Sequence, residues 1–107
     1  MVISQELKSI TEAIAQAVQV EQIYLFGSHV YGTPNINSDY DLYIVIADDS
    51  LRPLEATRKV RRAISTVNRK TPVDVIADYR SRFEQRKQLN TLERKVSNEG
   101  VMLYERV

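Results

Sequence analysis

From Gly27-Ser28 to Asp39-Tyr40-Asp41 the chain reads GSHVYGTPNINSDYDLYIVI: a Gly-Ser turn, ten intervening residues, then two aspartates one residue apart opening an apolar run. Side chains two apart on a strand share a face, ~6 to 7 Å apart along the backbone, so Asp39 and Asp41 can converge on one or two hard cations. An acidic pair entering a buried strand is unfavourable without a cation, which argues against a purely structural role. Just before the turn, Tyr24-Leu25-Phe26 predicts a short strand that delivers the chain into it. Gly27 lets the backbone approach a ligand closely, and Ser28 offers a hydroxyl and an amide to phosphate oxygens. These residues together predict a site for a metal-bound nucleoside triphosphate.

Around this segment the pattern alternates between helix and strand. Ile3, Leu7, Ile10, Ile14, Ala17 and Val18 recur at helical spacing, with Ser4 placed to cap the start, and this first helix is expected to pack on a sheet. A strand at about 22–26, a helical turn at 29–31 and a loop at 33–37 follow. The run at 40–47 is apolar on both faces apart from its acidic start, as a central strand should be. Pro53 opens a helix running to about 69, with Ala56, Val60, Ala63, Ile64 and Val67 as its inner stripe. A strand at 73–77 carries Asp74. A single charged helix is expected at 80–98, marked by Phe83, Leu89, Leu92 and Val96 and ended by Gly100, before an edge strand at 101–106. The expected fold class is α/β, a small mixed sheet packed against helices.

The length of 107 residues suits one domain, expected to span 1–107. Cysteine is absent, which excludes disulfides, thiolate metal sites and a cysteine nucleophile. No apolar run approaches the ~20 residues of a membrane span and no signal pattern opens the chain, so a cytoplasmic protein is expected. The net charge of +1 hides an asymmetry: before residue 52 one basic residue, Lys8, faces seven acidic ones, and from 52 onward fourteen basic residues face seven acidic. The basic clusters, including those between 80 and 98, suit a triphosphate, an RNA or an acidic partner surface, or are simply solvated helix faces.

The ordered set of Gly27-Ser28, ten residues and Asp39-x-Asp41, with Gly32 and with Ser38 just before the first aspartate, resembles the DNA polymerase beta-like nucleotidyltransferase superfamily. Its short length is similar to that of the minimal nucleotidyltransferases, antitoxins commonly paired with HEPN-domain toxins. That resemblance implies a third carboxylate on a later strand, a position that Asp74 in Val73-Asp74-Val75-Ile76 fills. It further implies catalytic and metal-binding roles for Asp39, Asp41 and Asp74, and nucleotide contacts from Gly27, Ser28, Gly32 and Ser38. Two Mg²⁺ ions and ATP are the implied cofactor and substrate, and Asp74 is the implied acceptor of the attacking hydroxyl's proton. Ser38 could equally cap a loop or fix Asp39, Gly32 could be a plain turn residue, and His29, Tyr31 and Tyr40 read better as packing residues than as ligands.

On chemical grounds nucleotidyl transfer needs little beyond positioning an attacking oxygen in line and neutralising charge on the phosphates, work for which hard cations held by carboxylates are suited. The expected activity is transfer of AMP from ATP to a hydroxyl of a partner protein, the chain being short for an acceptor pocket of its own. The resemblance makes that partner a HEPN toxin in a hetero-oligomer, the acceptor a tyrosine and this chain its antitoxin; neither nucleic acid nor membrane is an expected direct ligand. Two other readings are neutralisation by contact alone, and transfer to an antibiotic or RNA with the acceptor site supplied by another subunit.

Overall fold

The computed structural model describes residues 3–32 and 38–106, so the loop expected at 33–37 lies outside the described residues. The chain runs α1 (Gln5–Ala17), β1 (Val20–Phe26), α2 (Ser28–Tyr31), β2 (Tyr40–Ile46), α3 (Pro53–Ser65), β3 (Val73–Tyr79), α4 (Arg80–Arg86), α5 (Leu92–Glu99) and β4 (Val101–Glu105). The strands form one mixed sheet in the order β3-β2-β1-β4. The β1 strand pairs antiparallel with both β2 and β4, while β2 and β3 run parallel, joined by the α3 crossover. The α/β class is as the sequence predicts, with β2 central and β4 on an edge. No helix among the described residues is long and apolar enough to cross a membrane.

Alternation along β2 divides the core in two. Leu42, Ile44 and Ile46 point to the face covered by α1 and α3, where they pack with Leu7, Ile10, Ile14, Val60 and Ile64. Tyr43 and Val45 point to the other face, where Phe83 of α4, Val96 of α5 and Tyr24 of β1 form a second, smaller cluster. Asp41 belongs by register to this second face. The α1 start is held by Ser4, whose Oγ accepts the Leu7 amide at 3.1 Å and lies 3.2 Å from the Tyr40 hydroxyl, fixing the helix to the first residue of β2.

Three expectations need correction. The helix expected to reach 69 stops at Ser65, because the Ser65 and Thr66 hydroxyls turn back onto the Arg62 and Ala63 carbonyls at 2.6 and 2.7 Å. The strand expected at 73–77 continues to Tyr79, since pairing with β2 persists to the Ile46–Tyr79 partners. The single helix expected at 80–98 is two helices broken at Thr91. That hydroxyl donates to the Arg86 carbonyl at 2.8 Å and accepts the Arg94 amide at 3.2 Å, so one side chain closes α4 and opens α5. Leu89 and Leu92, taken as inner marks, are 58% and 39% exposed.

Some basic residues of this region have acidic partners within the chain. Arg82 pairs with Asp78 at 3.5 Å, and Arg86 reaches Glu93 at 3.1 Å. Glu93 is buried and also accepts the Tyr43 hydroxyl at 2.8 Å. Burial opposes its charge, but hydrogen bonds from backbone, Tyr43 and Arg86 outweigh that and hold the carboxyl below its ordinary range. Burial, together with the Glu93 carboxylate, pushes the Tyr43 hydroxyl far up, so it remains a donor. Glu93→Ala should therefore destabilise the protein by ~2 kcal/mol in urea unfolding, from a stranded buried hydroxyl and the lost bond to Arg86. A loss below ~0.5 kcal/mol would show that the pair does not hold α5 to the sheet.

Candidate active site

The site gathers where β1 ends and β2 and β3 begin. Asp41, second residue of β2, is the register partner of Phe26 on β1 and of Asp74 on β3. Parallel pairing thus sets two carboxylates side by side on neighbouring strands, strand axes about 4.8 Å apart. Asp39 stands just before β2, partly exposed, and Asp74 is exposed on the edge strand. Among the described residues no three His, Cys, Asp or Glu side chains gather closely enough to hold a metal ion as they stand. Asp41 and Asp74 are the pair that the sheet itself aligns.

Directly against Asp41 lies Gly27, whose φ of 81° and ψ of −154° fall in a region that is essentially glycine's alone. A Cβ there would overlap Asp41 Oδ2 and stand 3.0 Å from its Cγ. Gly27 is therefore the residue that lets the turn after β1 close onto the carboxylate. Its carbonyl accepts the Val30 and Tyr31 amides at 2.9 Å, which winds the single turn of α2 from Ser28 onward. Gly32 is different. Its φ of −116° is ordinary, it is exposed, and a Cβ would lie 3.5 Å from Ser28 Cα.

Electrostatically the site is short of positive charge. Burial raises the Asp41 carboxyl above its ordinary range, and Asp74 and then Asp39 raise it further, with His29 as the opposing influence. His29, read as a packing residue, has a further part that its position in the sequence did not signal. Its Nε2 donates to the Ser38 carbonyl at 3.1 Å and its ring lies 4.7 Å from that of Tyr40, tying α2 to the approach to the aspartates. Tyr40 itself packs into the main core, on the face away from Asp41.

An all-oxygen carboxylate set, one member of it burdened by desolvation and by two like charges, fits a divalent hard cation. Carboxylates of this kind are suited to such an ion and to accepting a proton, and a turn of the Gly27-Ser28 kind to phosphate oxygens. The family model described as "Polymerase beta, Nucleotidyltransferase" matches residues 8–107. The chain belongs to the polymerase beta nucleotidyltransferase family.

Solved structures of similar fold accord with this. A protein from Sulfolobus solfataricus proposed to be a nucleotidyltransferase matches with a TM-score of 0.66 and 21% identity, over 95% of this chain and 79% of that one. A toxin–antitoxin complex with AMP-PNP matches with a TM-score of 0.59 and 24% identity, over 96% and 75% of the two chains. A mutant of the toxin–antitoxin MntA-HpeT with two aspartates changed to glutamate gives 0.57 and 21%, again over 96% and 75%. No curated protein matches the chain significantly in sequence. At these identities the solved structures speak for the nucleotidyltransferase fold.

Proposed function

We propose that this nucleotidyltransferase works in the cytoplasm, moves AMP from ATP to a hydroxyl of a HEPN-domain toxin, a tyrosine's in the first instance, and is thereby its antitoxin. The observation that carries the chemistry is the in-register pairing of Asp41 with Asp74 beside the Gly27 turn. The likeness to toxin–antitoxin complexes, one of them with AMP-PNP, supports the choice of nucleotide and of partner.

In this reading Gly27 and Ser28 hold the β and γ phosphates, and Gly32 and Ser38 border the nucleotide. Asp39, Asp41 and Asp74 would hold two Mg²⁺ ions, which supply charge neutralisation of the triphosphate and a lowered pKa of the attacking hydroxyl. The acceptor oxygen bonds to the α-phosphorus as the bond to the pyrophosphate oxygen breaks; the proton passes to Asp74, and pyrophosphate leaves with the electron pair. The exposure of Asp74 on the edge strand leaves it open to a hydroxyl arriving from a partner.

Incubation with labelled ATP, Mg²⁺ and the partner HEPN protein should label that protein. The Asp39→Ala, Asp41→Ala double variant should abolish both the label and the protection of cells. Full protection by the double variant would replace this account with neutralisation by contact. Label in an aminoglycoside or RNA, with none in the protein, would replace the acceptor.

A further inference from the structure

The segments that build the site carry no lysine or arginine. Before residue 52 the only lysine or arginine is Lys8, on α1, and β3 contains none. A triphosphate carries about three to four negative charges toward three carboxylates, and beyond what divalent ions would neutralise, any lysine or arginine of this chain at its far end has to come from outside these segments.

Among the described residues, Lys95 is a cation that reaches toward the turn. Lys95 of α5 holds its ammonium 4.5 Å from the ring centroid of Tyr31, the last residue of α2 and one helical turn from Ser28. On its own helix the natural partner of Lys95 is Glu99, four residues on. Neither forms an ion pair among the described residues. The lysine leans instead across to α2. Beneath it, the Tyr31 hydroxyl is buried and lies beside the Gly27 backbone without completing a hydrogen bond. The Tyr31 amide donates to the Gly27 carbonyl at 2.9 Å, so the ring under Lys95 belongs to the same short turn that Gly27 opens against Asp41. A polar hollow of about 290 Å³ that Lys95 lines together with Asn90, Thr91, Arg94, Asn98 and Glu99 leaves this flank of α5 open.

We propose that Lys95 binds the terminal phosphates of the nucleoside triphosphate held at the Gly27-Ser28 turn. The inference rests on the nucleotidyltransferase reading above and names a binding residue outside the family motif. An exposed cation over an aromatic ring is held by only ~0.5 to 1 kcal/mol, less than a charge-assisted bond to phosphate offers, so the ring acts as a resting place that the ligand displaces.

Calorimetric titration of the full chain in Mg²⁺ with ATP and with AMP tests this, because only ATP carries the terminal phosphates. Lys95→Ala should weaken ATP about tenfold or more and change AMP less than about twofold, while Lys95→Arg should retain most of the ATP affinity. An unchanged preference for ATP over AMP in Lys95→Ala would overturn the proposal, as would an equal loss for both nucleotides, which would make Lys95 a structural support for α2. Wild type that binds neither nucleotide would remove the nucleotide reading and this proposal with it, an outcome distinct from both.

Discussion

Asp41→Asn should lower AMP transfer by about 10³-fold or more and, at neutral pH, make the protein more stable. The catalytic part follows from removing the central carboxylate of the site, a loss of about 4 kcal/mol in barrier terms. Its stability counterpart follows from the site's electrostatics: burial, then Asp74, then Asp39 raise the Asp41 carboxyl above its ordinary range. For an acid whose folded pKa lies above its unfolded one, the folded state binds the proton more tightly. Stability from this group is thus fully present below the unfolded pKa and lost as pH rises through the folded value. Thermal melts should accordingly show wild type and Asp41→Asn converging below about pH 4 and separating toward pH 7, with the variant higher. Added Mg²⁺ should raise wild type and leave the variant unmoved, because only a state that binds the ion gains from it. A variant less stable than wild type at neutral pH would mean that Asp41 is held by favourable contacts rather than burdened by its neighbours.

Gly27→Ala should come close to Asp41→Asn in lost activity, but with stability falling instead of rising. Its backbone angles of 81° and −154° lie where a side chain costs ~1 to 3 kcal/mol, and the new methyl group would displace the Asp41 carboxylate. Backbone relaxation would relieve one problem only by moving the turn away from the strand. Gly32→Ala is the matched control. That glycine has ordinary angles and an ordinary contact distance of 3.5 Å to Ser28, so its change should alter stability by less than ~0.5 kcal/mol. Urea unfolding of the two variants beside an AMP-transfer assay checks both statements. Equal behaviour of the two glycine variants would contradict the role given to Gly27.

Why Gly27 stands out as a candidate in the sequence and Lys95 does not is a matter of range. A glycine before a serine at the end of an apolar run, followed by paired aspartates, is local information, and local information also marks the Ser4 cap and the central strand β2. The split of the 80–98 region depends on contacts that no periodicity carries. Thr91 reads as one more helical position until its hydroxyl is seen to bond both Arg86 and Arg94. Glu93 reads as solvated until its carboxylate meets Tyr43, 50 positions away. Lys95 likewise looks like part of a solvated charged face, and its tie to Tyr31 exists only because α5 folds back across the end of β1. The acidic pattern marks the candidate residues, while the sheet register supplies what spacing alone could not, the alignment of Asp41 with Asp74.

That alignment is most directly tested by titrating wild type, Asp41→Asn and Asp74→Asn with an ATP analogue that cannot be cleaved between the α and β phosphates, with and without Mg²⁺. Binding by wild type should require Mg²⁺, and each substitution should weaken it at least tenfold, about 1.4 kcal/mol. Binding by wild type that is indifferent to Mg²⁺, or that survives Asp74→Asn unchanged, would contradict a shared role for the two carboxylates.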